Sequence, residues 1–133
     1  LTDKYAGLYM LDHGGGSIIN TASMSGHIVN VPQPQCAYNA SQAGGIQLTK
    51  SLAVEWAEAG VRVNSISPGY METELVMANE TLKPLINQWN KLIPARRMGK
   101  VDELQTICIY LAGDTSSYTT GSDFVIDGGY TSF

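Results

Sequence analysis

Tyr38 and Gln42 stand four residues apart in Tyr38-Asn39-Ala40-Ser41-Gln42. On a helix that spacing puts both side chains on one face, one turn apart. Upstream lies a second hydroxyl, Ser23, three residues before Gly26, and downstream a turn sequence, Pro68-Gly69-Tyr70-Met71-Glu72-Thr73. Hydroxyls and an amide brought together can hold a ligand oxygen and move a proton to or from it. A tyrosine at a helix start is ordinarily a packing residue, so the chemistry depends on which elements bring these groups to one place.

The elements can be read from the sequence. Ser17–Ala22 is an apolar, β-branched run that predicts a buried strand. A helix is predicted from Tyr38 to Ala59, about 33 Å at 1.5 Å per residue, with Gly60 as its stop. Val61–Ile66 predicts a second strand. Strand, crossover helix and strand make a right-handed βαβ unit with parallel strands. Chemistry in such sheets collects outside the carboxyl ends of the strands, and Ser23, Tyr38 and Pro68-Gly69 all reach that edge.

Composition sets wide bounds. The chain has 133 residues, 44% hydrophobic and 15% charged, with a net charge of −4. That is ordinary globular composition for one core. It gives no electrostatic reason to expect nucleic acid or an anionic membrane as a partner. No apolar run approaches the roughly 20 residues of a membrane span. Cys36 and Cys108 lack metal-ligand spacing, and no metal is expected; they read as reduced thiols of a cytoplasmic protein, with a disulfide left open by sequence alone.

The ordered set Ile18-Ile19-Asn20-Thr21-Ala22-Ser23-Met24-Ser25-Gly26, Tyr38-Asn39-Ala40-Ser41-Gln42-Ala43-Gly44, Val61 to Thr73 and Thr120 to Tyr130 resembles the short-chain dehydrogenase/reductase family. The wording is nearest to its polyol dehydrogenase and ketose reductase branch, typified by mannitol dehydrogenase and sorbose reductase. The resemblance implies an α/β fold, a Rossmann-type doubly wound parallel sheet, of which this chain reads as the carboxyl-terminal half with three parallel strands. No Gly-rich phosphate turn follows a strand: Gly14-Gly15-Gly16 precedes one instead. The cofactor it implies is NADP(H), with NAD(H) left open, and the substrate a carbonyl or polyol. It also implies a homo-oligomer, dimer or tetramer.

The resemblance assigns roles. Hydride transfer to a ketone needs a proton donor on the carbonyl oxygen and a polar group to position it. Tyr38 takes the donor position and Ser23 the positioning one, with Ser25 as fallback. Gln42 stands where the family has Lys, so it can hydrogen-bond the nicotinamide ribose but supplies no charge. An unassisted tyrosine titrates near 10, so only about one in a thousand is phenolate at pH 7. Asn20, Tyr38, Gln42, Pro68, Gly69, Met71 and Thr73 are the implied cofactor contacts. Ser23, Gln35 and Tyr70 are the implied substrate contacts.

The remaining chain reads as scaffold. Leu1, Tyr5, Leu8 and Tyr9 form a helical stripe, ended by His13 and Gly14. His27 reads as a solvent-facing loop residue. Gly44 and Gly45 each cost about 1 kcal/mol against Ala and predict close packing, in the family at a subunit interface. The stretch 70–97 reads as a lid or substrate loop with Pro84 and Pro94 as breaks, its Met71, Leu75, Leu82, Leu85, Ile86, Trp89 and Ile93 being core contacts. Asp102–Ala112 predicts a helix with Leu104, Ile107 and Leu111 inward, and Asp123–Ile126 a third strand. Asp127-Gly128-Gly129 reads as a structural turn. The competing reading is a non-catalytic oligomerisation module, favoured by Gln42.

Overall fold

The structure is a computed structural model that describes residues 2–133. Its three strands, β1 (Gly16–Thr21), β2 (Val61–Pro68) and β3 (Asp123–Ile126), form one parallel sheet in the order β1-β2-β3. Gly16 pairs with Val61 and Thr21 with Ile66; Ser65 pairs with Asp123 and Pro68 with Ile126. The α/β expectation holds, with strand ends shifted by a residue or two.

The crossover helix α2 (Cys36–Trp56) starts two residues before the expected Tyr38 and passes into a 3-10 turn at Ala57–Ala59. It buries Ile46, Thr49 and Ala53, spaced by three and four, the face an amphipathic helix turns inward. Ala53 packs with Ile18, Val61 and Val63, and both valines are fully buried. Each buried valine stabilises the sheet by about 1.5–3 kcal/mol. Gly60 ends the turn in the left-handed region at φ +78°. A Cβ on Gly15 would fall 2.6 Å from the Gly60 carbonyl oxygen, so two glycines let the strand entrances approach.

Helix α1 (Thr2–Asp12) packs on the same face of the sheet through Ala6, Met10 and Leu11. The expected helix forms, but its stripe faces solvent: Tyr5, Leu8 and Tyr9 are exposed, and Leu1 lies outside the described residues. This helix carries apolar side chains on two faces, and the ring of Trp56 fills the space a Cβ on Gly7 would need, which decides which face turns in. The end cap forms as expected, with His13 Nδ1 at 2.7 Å from the Tyr9 carbonyl. On the opposite face of the sheet lies α5 (Gln105–Ala112), preceded by a 3-10 turn at Val101–Leu104. Ser17 Oγ donates to its Leu111 carbonyl at 2.7 Å. Helices on both faces satisfy the doubly wound pattern.

The stretch 70–97 folds into α3 (Glu74–Met77), a 3-10 turn and α4 (Lys83–Leu92). It has a small core of its own, Trp89, Ile93 and Met98, walled by Tyr70, Val76, Leu85 and Tyr130. Leu75 departs from expectation and is 82% exposed. Pro84 sits in the first turn of α4, where a missing N–H costs nothing, so it starts a helix.

Candidate active site

At the carboxyl edge, Ala22 N–H donates to the Ile66 carbonyl at 2.8 Å, and the chain then leaves β1. Ser23 caps a 3-10 turn, Met24–Gly26, its Oγ accepting from Ser25 N–H at 3.2 Å. That turn lies against α2: a Cβ on Gly26 would meet Ala43 N and Gln42 C at 2.9 Å. Tyr38 stands in the first turn of α2 and is 47% exposed. From the other side, β2 ends at Pro68, and Gly69 N–H donates to the Ile126 carbonyl at 2.9 Å. Tyr70 and Glu72 are tied to Gly99 by backbone bonds of 2.9 and 2.8 Å. Thr73 caps α3, accepting from Val76 N–H.

These segments enclose a cleft of about 250 Å³, lined in part by Ser23, Gln35, Tyr38, Gly69, Tyr70, Met71 and Thr73. Seven of the ten residues singled out from sequence therefore share one wall. Asn20, Gln42 and Pro68 lie outside its lining. The Asn20 side chain is engaged within the fold, its Nδ2 donating to Thr49 Oγ1 at 3.0 Å and tying β1 to α2. Gln42 is half-buried one turn beyond Tyr38.

Sequence reasoning missed an amide network along the rim. Gln33 Nε2 donates to the Tyr70 hydroxyl at 2.9 Å and Asn30 Nδ2 to the same oxygen at 3.2 Å. Trp89 Nε1 donates to Gln33 Oε1 at 3.4 Å. Gln35 Nε2 lies 2.7 Å from Asn30 Oδ1 and 3.2 Å from Ser25 Oγ, which leaves its own oxygen as the group it can offer. The signal was the amide-rich spacing Asn30, Gln33, Gln35 interleaved with Pro32 and Pro34, of which only Gln35 is assigned a role above.

His27 faces solvent as expected, and it is also bonded to the sheet. Its Nε2 contacts Asp123 Oδ2 at 2.6 Å, while Ser65 and Ser67 Oγ donate to Asp123 Oδ1 at 2.5 and 2.8 Å. The loop carrying Ser23 is thus pinned to the start of β3. Burial pushes the Tyr130 hydroxyl up from its ordinary value, and the adjoining Tyr70 adds to the rise. The fork of Arg97 holds Glu103 down at about 2, helped by the Lys100 N–H. Cys36 and Cys108 are both free and exposed. Among the described residues, no group of His, Cys, Asp or Glu could hold a metal, and no helix is long and apolar enough to cross a membrane.

A parallel sheet covered on both faces, with a hydroxyl-lined cleft at its carboxyl edge, defines a Rossmann-type α/β protein. The family model described as Enoyl-(Acyl carrier protein) reductase matches residues 2–131. The chain belongs to the short-chain dehydrogenase/reductase family. It is 50% identical over 127 residues to a probable NADP-dependent mannitol dehydrogenase of Yarrowia lipolytica, covering 96% of this chain and 45% of that one. It is 48% identical over 132 residues to a sorbose reductase of Schizosaccharomyces pombe, covering 98% and 50%. A crystal structure of a short-chain type dehydrogenase/reductase from Mycobacterium marinum superimposes with a TM-score of 0.92 at 53% identity, covering 98% of this chain and 50% of that one. The chain spans about half the length of the curated relatives it matches.

Proposed function

We propose that these residues form the carboxyl-terminal half of an NADP(H)-dependent oxidoreductase that interconverts a ketose and a polyol. The observation that carries the reading is the single cleft shared by Ser23, Tyr38, Gly69, Tyr70, Met71 and Thr73. The relatives' printed activities support the substrate class and the cofactor.

The donor set fits one end of the cofactor. A cleft of about 250 Å³ with hydroxyls and turn backbone suits a nicotinamide riboside. No Gly-rich turn after a strand offers a second cradle for the pyrophosphate. Pro68, Gly69, Met71 and Thr73 would hold the carboxamide side, with Asn20 contributing backbone and Gln42 an amide to the ribose. When bound, the cofactor supplies or accepts the hydride. Tyr38 passes a proton between its hydroxyl and the substrate oxygen, and Ser23 orients that oxygen. Gln35 and Tyr70 bind further substrate hydroxyls.

The finer features belong to the same reading. The chain assembles as a homo-oligomer, dimer or tetramer, for which the open space over Gly44 and Gly45 and the exposed Leu48 and Val54 on α2 offer a face. Two free thiols suit the cytoplasm. The test is NADPH-dependent reduction of sorbose by this chain completed with a family-type first half. Tyr38→Phe should remove about 10²-fold or more of the rate, the usual share of acid–base catalysis. Turnover that ignores both Tyr38→Phe and Ser23→Ala sinks these residue roles, and a completed chain that assembles without any turnover leaves the oligomerisation module in its place. Residues 1–133 alone should show no saturable NADPH binding below millimolar concentration by fluorescence titration.

A further inference from the structure

Tyr70 is held unusually firmly for a residue on a cleft wall. Its ring stacks on Trp89 at 4.1 Å and 10°, and Tyr130 meets it edge-on at 5.5 Å and 85°. Trp89 is 6% exposed and Asn30 3%. The polarity of the bonds on its hydroxyl follows from chemistry. An indole N–H can only donate, so the Gln33 atom 3.4 Å from Trp89 Nε1 must be the oxygen. The amide's other end, Nε2, therefore faces Tyr70 and donates to it at 2.9 Å. Asn30 Nδ2 donates to the same oxygen at 3.2 Å, while its Oδ1 takes the proton of Gln35. With two donors on its oxygen, Tyr70 has only its own O–H left to give.

We propose that the chain Trp89, Gln33, Tyr70, braced by Asn30, makes Tyr70 a donor-only specificity residue that recognises an acceptor hydroxyl oxygen on the substrate beside the reacting carbon. Gln33 is the positioning residue that imposes this polarity. The proposal rests on the ketose–polyol reading and adds which hydroxyl chemistry the cleft selects. A buried hydrogen-bonding group left without its partner penalises an analogue lacking that hydroxyl.

The discriminating variant is Gln33→Glu, of nearly the same shape. A carboxylate accepts from Trp89 and from Tyr70 alike, and so draws the Tyr70 proton away from the cleft. In the completed enzyme, Gln33→Glu should raise KM for sorbose roughly tenfold, the scale of one neutral hydrogen bond, with kcat within about twofold. Tyr70→Phe should do the same, and the double variant should be no worse than either single one, because both act through one proton. Asn30→Asp reverses polarity from the other side and serves should Gln33→Glu fail to fold.

A second readout needs no turnover. With Trp56→Phe and a first half chosen without tryptophan, Trp89 is the single tryptophan of the completed enzyme, and its emission titrated with sorbose gives a Kd that should weaken by the same factor. Multiplying effects in the double variant, a fall in kcat with KM unchanged, or a sorbose Kd indifferent to Gln33 would each overturn the proposal. So would a Tyr130→Phe variant that reproduces the full KM rise, since Tyr130, taking the Tyr70 proton, would then be the group that meets the substrate oxygen. Failure of the ketose reading shows differently, as an unaltered enzyme that neither turns over nor binds sorbose, and that result removes both.

Discussion

Position 42 sits one helical turn beyond Tyr38, where the proposed reading expects an ammonium and this chain has a neutral amide. Tyr38 itself lies in the first turn of a 21-residue helix. The partial positive charge at such an end favours an anion by about 0.3–1 kcal/mol, which is well short of what a full charge within a few ångströms supplies. In the completed enzyme, Gln42→Lys should therefore raise ketose reduction at pH 7 by roughly 10²-fold, inside the range of acid–base effects. Polyol oxidation should reach its half-maximal rate at lower pH, because a nearby cation favours phenolate. Tyr38→Phe should cancel the gain. Equal rates for the parent and Gln42→Lys from pH 6 to 10 would show that catalysis never used this turn. The shared place of Ser23, Tyr38 and Thr73 on one cleft was legible because strand ends and helix starts have predictable places. The roles of Asn30 and Gln33 were not, since they depend on the path of an aperiodic loop, and nothing local in the sequence fixes which amide end faces which partner.

At the scale of elements, the cleft is set by two close approaches. Gly26 lets the Ser23 turn lie on α2, with Ala43 N and Gln42 C only 2.9 Å from where a Cβ would be. Backbone cannot yield as a flexible side chain does, so Gly26→Ala should lower stability by about 1–3 kcal/mol, the usual cost of overpacking. It should also reduce kcat by shifting Ser23. Denaturant unfolding and steady-state rates measured together check this; unchanged values for both would show that the turn has slack. On the far side, Arg97 grips Glu103 through two bonds of 2.7 Å, joining the end of the inserted segment to the approach to α5. A carboxylate whose folded value is depressed contributes stability above its ordinary range and loses it as pH falls toward the folded value. That contribution should fade between the ordinary glutamate range and about pH 2. Glu103→Gln should flatten this part of the acid limb in a pH series of thermal melts. The strands and α2 were readable from period and caps. The inward face of α1 was not, because Tyr5, Leu8 and Tyr9 make as good a stripe as Ala6, Met10 and Leu11, and Trp56, far along the chain, settles the choice.

For the whole molecule, β1 and β3 each pair only with β2 among the described residues, and the longer of these two sheet edges is β1. Ile18 and Ile19 make it an apolar row of unpaired backbone groups, which invites pairing with another chain. Residues 1–133 in isolation should self-associate at tens of micromolar, seen as a mass above 14.3 kDa by light scattering. A monodisperse, stable monomer would contradict this. Adding a family-type first half should restore a defined species, because a strand would then cover the edge.

The contact between His27 and Asp123 joins residues 96 positions apart, and that separation has a meaning in time. During synthesis at roughly 5–20 residues per second, the loop bearing Ser23 leaves the ribosome about 5–20 s before its anchor exists. Ser65 and Ser67 wait for the same carboxylate. A nascent chain stalled before Asp123 should therefore show β1, α2 and β2 protected from hydrogen exchange while residues 23–35 still exchange freely. The cleft is the last part of this fold to be born.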